Sequence, residues 1–147
     1  GLLSGFVAGV ADILSDFLRY RTYHGCAMTR QHQAASIRAW GDVIDVRENR
    51  RLYREKFEAV LDILDGTLPV SRPPASFYLW PETPVADTEF ARGLYAQQNV
   101  TVLPGSFLSR PVDGVNPGTR RIRLALVARL EKFIVAARRI RAFTETL

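Results

Sequence analysis

Cysteine, histidine and lysine are all scarce in this chain of 147 residues. A single cysteine, Cys26, excludes an internal disulfide framework. With only His24 and His32 beside it, it cannot build a cysteine-rich zinc site either. Ten glycines and eight prolines are too few, and too scattered, for a collagenous or low-complexity chain. No apolar run is long enough to span a bilayer. The nearest approach, Leu2 to Leu14, is broken by Asp12, bounded by Asp16 and preceded by no basic region, which argues against a secretion signal. The expectation is a cytoplasmic protein in a reducing compartment, with no membrane partner.

What is present is ordinary for a globular chain: 47% hydrophobic and 24% charged residues, enough for one domain with a real core. The net charge of +5 comes almost wholly from arginine, since Lys56 and Lys132 are the only lysines. Clustered positive charge can bind nucleic acid by counterion release. Here Arg50, Arg51 and Arg54 are interleaved with Glu48, Glu55 and Glu58, which reads as a solvated helix face with close-range ion pairs. No nucleic-acid partner is expected.

The pattern along the chain predicts a mixed α/β architecture. Ser4 to Gly9 is a short apolar run and predicts a buried strand. Asp12 is placed to cap a helix bearing Ile13, Phe17 and Tyr20, and Thr29 to cap a second with His32, Ala35 and Ala39 or Trp40 on one face. Val46, Tyr53, Phe57, Val60, Leu61 and Leu64 make one long amphipathic helix from about Asp42 to Leu64, ended by Gly66 and by Pro69, Pro73 and Pro74. Ser76 to Trp80 then predicts a strand, Asp87 to Gln98 a helix capped by Asp87, and Val100 to Leu103 a second strand. In the next strand Ile122, Leu124 and Leu126 alternate with Arg121, Arg123 and Ala125, so that one face is buried. Leu130, Phe133, Ile134, Ala137 and Ile140 form the stripe of a final helix. The order from residue 76 suits a small mixed or antiparallel sheet with helices on one face.

Few residues suggest chemistry. His24 and Cys26 are two apart, with no third group to orient them, and a packed turn is the simpler reading. Gly5 and Gly9 lack the Gly-Lys-Ser or Gly-Lys-Thr that a phosphate loop needs. Arg123 is more informative. It sits mid-strand opposite the apolar face, with no acidic residue in its own strand. Either it is an exposed sheet arginine, or its planar fork grips a carboxylate through two parallel hydrogen bonds.

Four segments occur in an informative order: Phe77-Tyr-Leu-Trp80, Asp87-Thr-Glu-Phe-Ala-Arg92, Asn99-Val-Thr-Val-Leu-Pro-Gly-Ser-Phe107 and Arg121-Ile-Arg-Leu-Ala-Leu-Val127. Together they resemble the carboxyl-terminal part of fold-type I, pyridoxal-phosphate-dependent aminotransferases. Leu18-Arg-Tyr-Arg-Thr-Tyr-His-Gly25 and Val46-Arg-Glu-Asn-Arg-Arg-Leu-Tyr-Arg-Glu-Lys-Phe57 are similar to bacterial N-succinyldiaminopimelate aminotransferases of lysine biosynthesis.

The resemblance implies that residues 1–40 are the tail of a large cofactor domain with its connection, and residues 41–147 the small domain. It implies reversible amino transfer between amino-acid and keto-acid substrates in a homodimer. It also implies that Arg123 clamps the substrate α-carboxylate. The cofactor, pyridoxal phosphate, acts as an electron sink on a lysine. The resemblance places that lysine just upstream of the Ser4–Gly9 strand, and Lys56 and Lys132, which lie in amphipathic helices, are not expected to substitute for it. Leu3 stands where the family usually carries an arginine for the cofactor phosphate. The chain alone is therefore expected to hold no cofactor and to be inactive. The Ser4–Gly9 strand is expected to pair only outside its own chain, leaving residues 1–27 disordered or docked on a second copy. The alternative reading is a non-catalytic binding or interaction module derived from a truncated aminotransferase.

Overall fold

The computed structural model describes residues 4–147, so Leu3 lies outside the described residues. The chain divides into two compact units, Gly1–Glu48 and Asn49–Leu147.

In the first unit, α1 spans Ala11–His24 and α2 spans Arg30–Trp40. Asp12 lies in the first turn of α1, where its charge suits the helix dipole. The capping position belongs to Val10, whose side chain makes no capping bond. Thr29 does cap α2: the His32 amide donates to its Oγ1 at 3.4 Å. The apolar faces predicted for α1 and α2 are not buried. No residue of α1 is buried, and on α2 the buried residue is Ser36, whose hydroxyl donates to His32 O at 2.7 Å. Ser4 to Gly9 is exposed and forms no strand, contrary to the pattern. A strand needs a neighbour for its backbone groups, and none pairs with this segment among the described residues. Phe6 instead sets its ring edge-on to Trp40, with centroids 5.4 Å apart.

Helix α3, Val43–Leu64, begins in the first unit and runs into the second. Asp42 receives the amides of Ile44 and Asp45 at 3.1 and 3.3 Å, which closes the exposed start of the helix. Gly66, at φ +68, supplies the left-handed residue that ends it. The second unit continues with β1 (Tyr78–Leu79), α4 (Asp87–Gln98), β2 (Leu103–Pro104), a 3-10 turn over Gly105–Phe107, β3 (Ile122–Ala125) and α5 (Leu130–Thr144). The three strands form an antiparallel sheet in the order β1-β3-β2. Tyr78 pairs with Ala125 and Leu79 with Leu124; Leu103 pairs with Arg123 and Pro104 with Ile122.

Alternation on β3 holds as expected: Ile122, Leu124 and Leu126 are buried, and the residues between them are not. They join one apolar cluster with Phe57, Val60 and Leu64 of α3, Phe90 and Leu94 of α4, and Ala137, Ile140 and Phe143 of α5. Phe90 and Phe143 meet edge to face, centroids 5.1 Å apart. Burying each such side chain contributes roughly 1.5–3 kcal/mol. The predicted second strand is displaced, pairing at Leu103–Pro104 rather than across residues 100–103. Asp87 is the first helical residue of α4 rather than its cap, which is Ala86.

Candidate functional site

The face of the sheet away from the core carries Arg123. Because β3 is the central strand, backbone pairing on both sides fixes the Arg123 Cα. The entry to β3 is held too. Arg120 adopts φ +59, a left-handed conformation that costs a non-glycine residue of order 1 kcal/mol or more. Its side chain offsets this cost by donating from Nε to Thr83 O at 3.3 Å and from Nη2 to Pro84 O at 2.6 Å.

The Arg123 guanidinium carbon lies 5.1 Å from the Tyr78 ring centroid and 5.6 Å from that of Phe77. Those two rings meet edge to face. Two electron-rich faces therefore hold one planar cation, each contact worth roughly 0.5–2 kcal/mol depending on desolvation. Arg123 Nε is buried and has no hydrogen-bond partner among the described residues. An unsatisfied buried donor is costly, and an oxyanion would satisfy it.

Arg123 opens onto a cavity of about 1010 Å³ that is also lined by Tyr78, Trp80, Glu82 and Arg121. Arg121 shares the face but is already engaged. Its Nη1 donates to Trp80 O at 3.2 Å, and its Nη2 lies 3.5 Å from Glu82 Oε2. Among the described residues lining this cavity, Arg123 is thus the cation without an acidic partner.

The loop that leads into β3 is fastened from beneath. Asp87, only 4% exposed, receives both the amide and the hydroxyl of Ser106 on Oδ2, at 2.9 and 2.5 Å. Burial would raise its carboxyl pKa. The Ser106 hydroxyl and amide, with the amides of Asp87 and Thr88, outweigh that and bring it below the ordinary value of 3.8. Asn116 Oδ1 accepts from Gly118 N at 2.9 Å and from the Ser109 hydroxyl. Gly105 N donates to Arg121 O at 2.7 Å, tying this network to the residue two before Arg123.

The remaining residues weighed from the sequence lie elsewhere. His24 stacks on Tyr20 with centroids 4.3 Å apart, and Cys26 is exposed, with its carbonyl accepting from Arg21 Nη2 at 3.1 Å. All of residues 20–26 are exposed, so the packed turn expected here does not form. The described residues do not make a set that fits pyridoxal phosphate. Lys56 Nζ donates to Leu126 O at 3.1 Å and lies over the Tyr53 ring, and Lys132 is exposed on α5. Neither lysine lines the Arg123 cavity.

The sequence pattern singles out Arg123 as a candidate, whereas its aromatic floor and the Asp87–Ser106 and Asn116–Gly118 fastenings are visible only in the structure. The adjacent aromatics Phe77 and Tyr78 were the available signal: Phe77 lies just before β1 and Tyr78 within it, and both rings meet the Arg123 guanidinium. Among the described residues, no group of His, Cys, Asp and Glu could hold a metal ion, and no helix is long and apolar enough to cross a membrane.

Residues 1–136 match the family described as aminotransferase class I and II. The chain belongs to this family. It is 29% identical over 141 residues to a probable aminotransferase of Mycobacterium tuberculosis, covering 95% of this chain and 32% of that protein. An aminotransferase structure from Neisseria meningitidis superposes with a TM-score of 0.77 at 48% identity, over 90% of this chain and 34% of the other. A probable N-succinyldiaminopimelate aminotransferase from Thermus thermophilus gives a TM-score of 0.72 at 29% identity, over 90% and 35%. This aminotransferase chain thus spans about a third of the length of the relatives it matches.

Proposed function

We propose that this chain is the small-domain portion of a pyridoxal-phosphate-dependent aminotransferase in which Arg123 grips the substrate α-carboxylate. The observation that carries the reading is the state of Arg123. Its guanidinium is braced by two rings, opens on a cavity whose one acid, Glu82, pairs with Arg121 instead, and keeps a buried Nε without a partner among the described residues. A carboxylate placed against that fork would gain two parallel charge-assisted bonds and satisfy the donor. In this reading residues 1–40 belong to the tail of the cofactor domain and its connection, and residues 41–147 to the small domain.

Family membership implies pyridoxal phosphate for the longer protein, where it supplies an electron sink; its binding groups would come from outside the residues described here. The proposal extends to a cytoplasmic homodimer acting on amino-acid and keto-acid substrates. An N-succinyldiaminopimelate-type substrate is supported by the likeness to the Thermus thermophilus protein and by the segments at residues 18–25 and 46–57.

The experiment is a titration of this chain with glutamate followed at the Arg123 Nε–H resonance. A saturable shift, absent in Arg123→Gln and reproduced by acetate but not by methylammonium, is the expected result. An unmoved Nε–H signal at every carboxylate concentration sinks the assignment of Arg123.

A further inference from the structure

A second cavity of the Asn49–Leu147 unit has no place in the reading given above. It measures about 620 Å³ and lies where the middle of α3 faces the segment at residues 72–77. Three of its lining residues are arginines, Arg50, Arg54 and Arg72, and Tyr53 and Phe77 supply apolar wall. Arg123 does not line it.

Charge accounting singles the cavity out. The sequence suggested that the arginines of α3 pair with the interleaved glutamates. The structure does this for Arg51, which bonds Glu55 one turn on. Glu58 is the acid one turn beyond Arg54, yet it lies 3.6 Å from Arg72 instead. Arg50 has Val46 and Arg54 as its neighbours one turn away, and Arg47 and Tyr53 at three residues. Arg50 and Arg54 therefore stand on one helix face, repelling each other, with no ion pair or hydrogen bond among the described residues. Arg72 and Glu58 cancel. Two uncompensated positive charges remain at one cavity, with a third guanidinium opposite them.

From this we infer that the cavity between α3 and residues 72–77 binds a phosphate group, free or as the head of an organic monoester. The number and kind of donors choose phosphate over carboxylate. One guanidinium fork satisfies both oxygens of a carboxylate, whereas phosphate offers three terminal oxygens and roughly two negative charges at neutral pH. Planar forks at Arg50 and Arg54 match those oxygens, their two uncompensated charges match the dianion, and Arg72, paired with Glu58, stands at the other wall of the cavity. The apolar wall of Tyr53 and Phe77 would receive the organic body of an ester.

Isothermal titration of the full 147-residue chain with inorganic phosphate, phenyl phosphate and acetate tests this at constant ionic strength. The expected result is saturable one-site binding of phosphate and weaker binding of acetate. Arg50→Gln and Arg54→Gln should each weaken phosphate by about tenfold, the equivalent of one lost charge-assisted hydrogen bond. Both side chains are exposed, so the variants should keep the parent circular dichroism. The charge-matched control, Arg138→Gln on α5, should stay within about twofold of the parent, because it changes only the overall field. Tighter binding of phenyl phosphate identifies an ester as the ligand, and equal binding identifies free phosphate. Three outcomes overturn the inference: no binding of either phosphate, acetate binding as tightly as phosphate, or the control losing as much affinity as the cavity variants.

Discussion

Removing the Asp87 carboxylate should unfasten the loop that leads into the Arg123 strand. Asp87 is nearly fully buried and accepts two hydrogen bonds from Ser106, one from its amide and one from its hydroxyl. A hydrogen bond to a charged group contributes roughly 1.5–3 kcal/mol, and a part-buried amide left without a partner costs roughly 1–3 kcal/mol. Water can reach Ser106 in part once the carboxylate is gone. Asp87→Ala should therefore destabilise the chain by about 2–4 kcal/mol, a large fraction of a total of roughly 5–15 kcal/mol. Ser106→Ala loses the hydroxyl bond alone and should cost about half as much.

The assay is urea unfolding, read as a shift in midpoint at unchanged slope. The pH dependence follows from the same contact. The folded carboxyl has a pKa below its ordinary value of 3.8, so the unfolded chain binds the proton more tightly. Its stabilising contribution is fully present above pH 3.8. It is lost as the pH falls from there through the lower folded value. Asp87→Asn should flatten that acid limb. An Asp87→Ala variant within about 0.5 kcal/mol of the parent would refute the argument, as would an unchanged acid limb in Asp87→Asn.

Two further substitutions probe the elements around the site. Gly118→Ala would drive a methyl group into Gly105 O and the Ser109 hydroxyl, and the site cannot relax without moving the 3-10 turn. A loss of about 1–3 kcal/mol in urea unfolding is expected, and a neutral result would show that this close approach is not confining. Phe90→Ala would empty the centre of the core, where Phe90 meets Phe143. Thermal unfolding should register a loss of about 3–5 kcal/mol, and a value under about 1 kcal/mol would mean that the cluster collapses to fill the void.

Sequence patterns were reliable where one short stretch decides the outcome. The alternation at residues 121–126 requires only that one face be buried, and Ile122, Leu124 and Leu126 are the buried ones. The stripe of α3 and the stop at Gly66 are equally local. Failures arose where a partner distant in sequence competes. Asp87 has the residue type of a helix cap, but Ser106 takes its carboxylate and shifts the cap to Ala86. Val100 to Val102 have strand propensity, yet β3 offers pairing only opposite Leu103 and Pro104. Ser4 to Gly9 read as a strand on composition, whereas a strand is made by its neighbour.

The site divided the same way. Arg123 was visible from its position in an alternating strand. Whether it is solvated or braced depends on Phe77 and Tyr78, which β1–β3 pairing brings beside it from far along the chain. Arg121 and Arg123 look equivalent in sequence. Only the structure distinguishes them, by placing Glu82 and the Trp80 carbonyl against Arg121.

The most direct measurement is the amino-transfer kinetics of the longer enzyme proposed for this chain, comparing Arg123→Lys with Arg121→Lys. Lysine keeps the charge at both positions but loses the planar fork. If Arg123 grips the substrate carboxylate, Arg123→Lys should lower kcat/KM by about tenfold or more, the loss of at least one charge-assisted bond of roughly 1.5–3 kcal/mol. Arg121→Lys, already paired with Glu82, should stay within about threefold. Near-parent kcat/KM for Arg123→Lys, or equal losses at the two positions, would contradict the account.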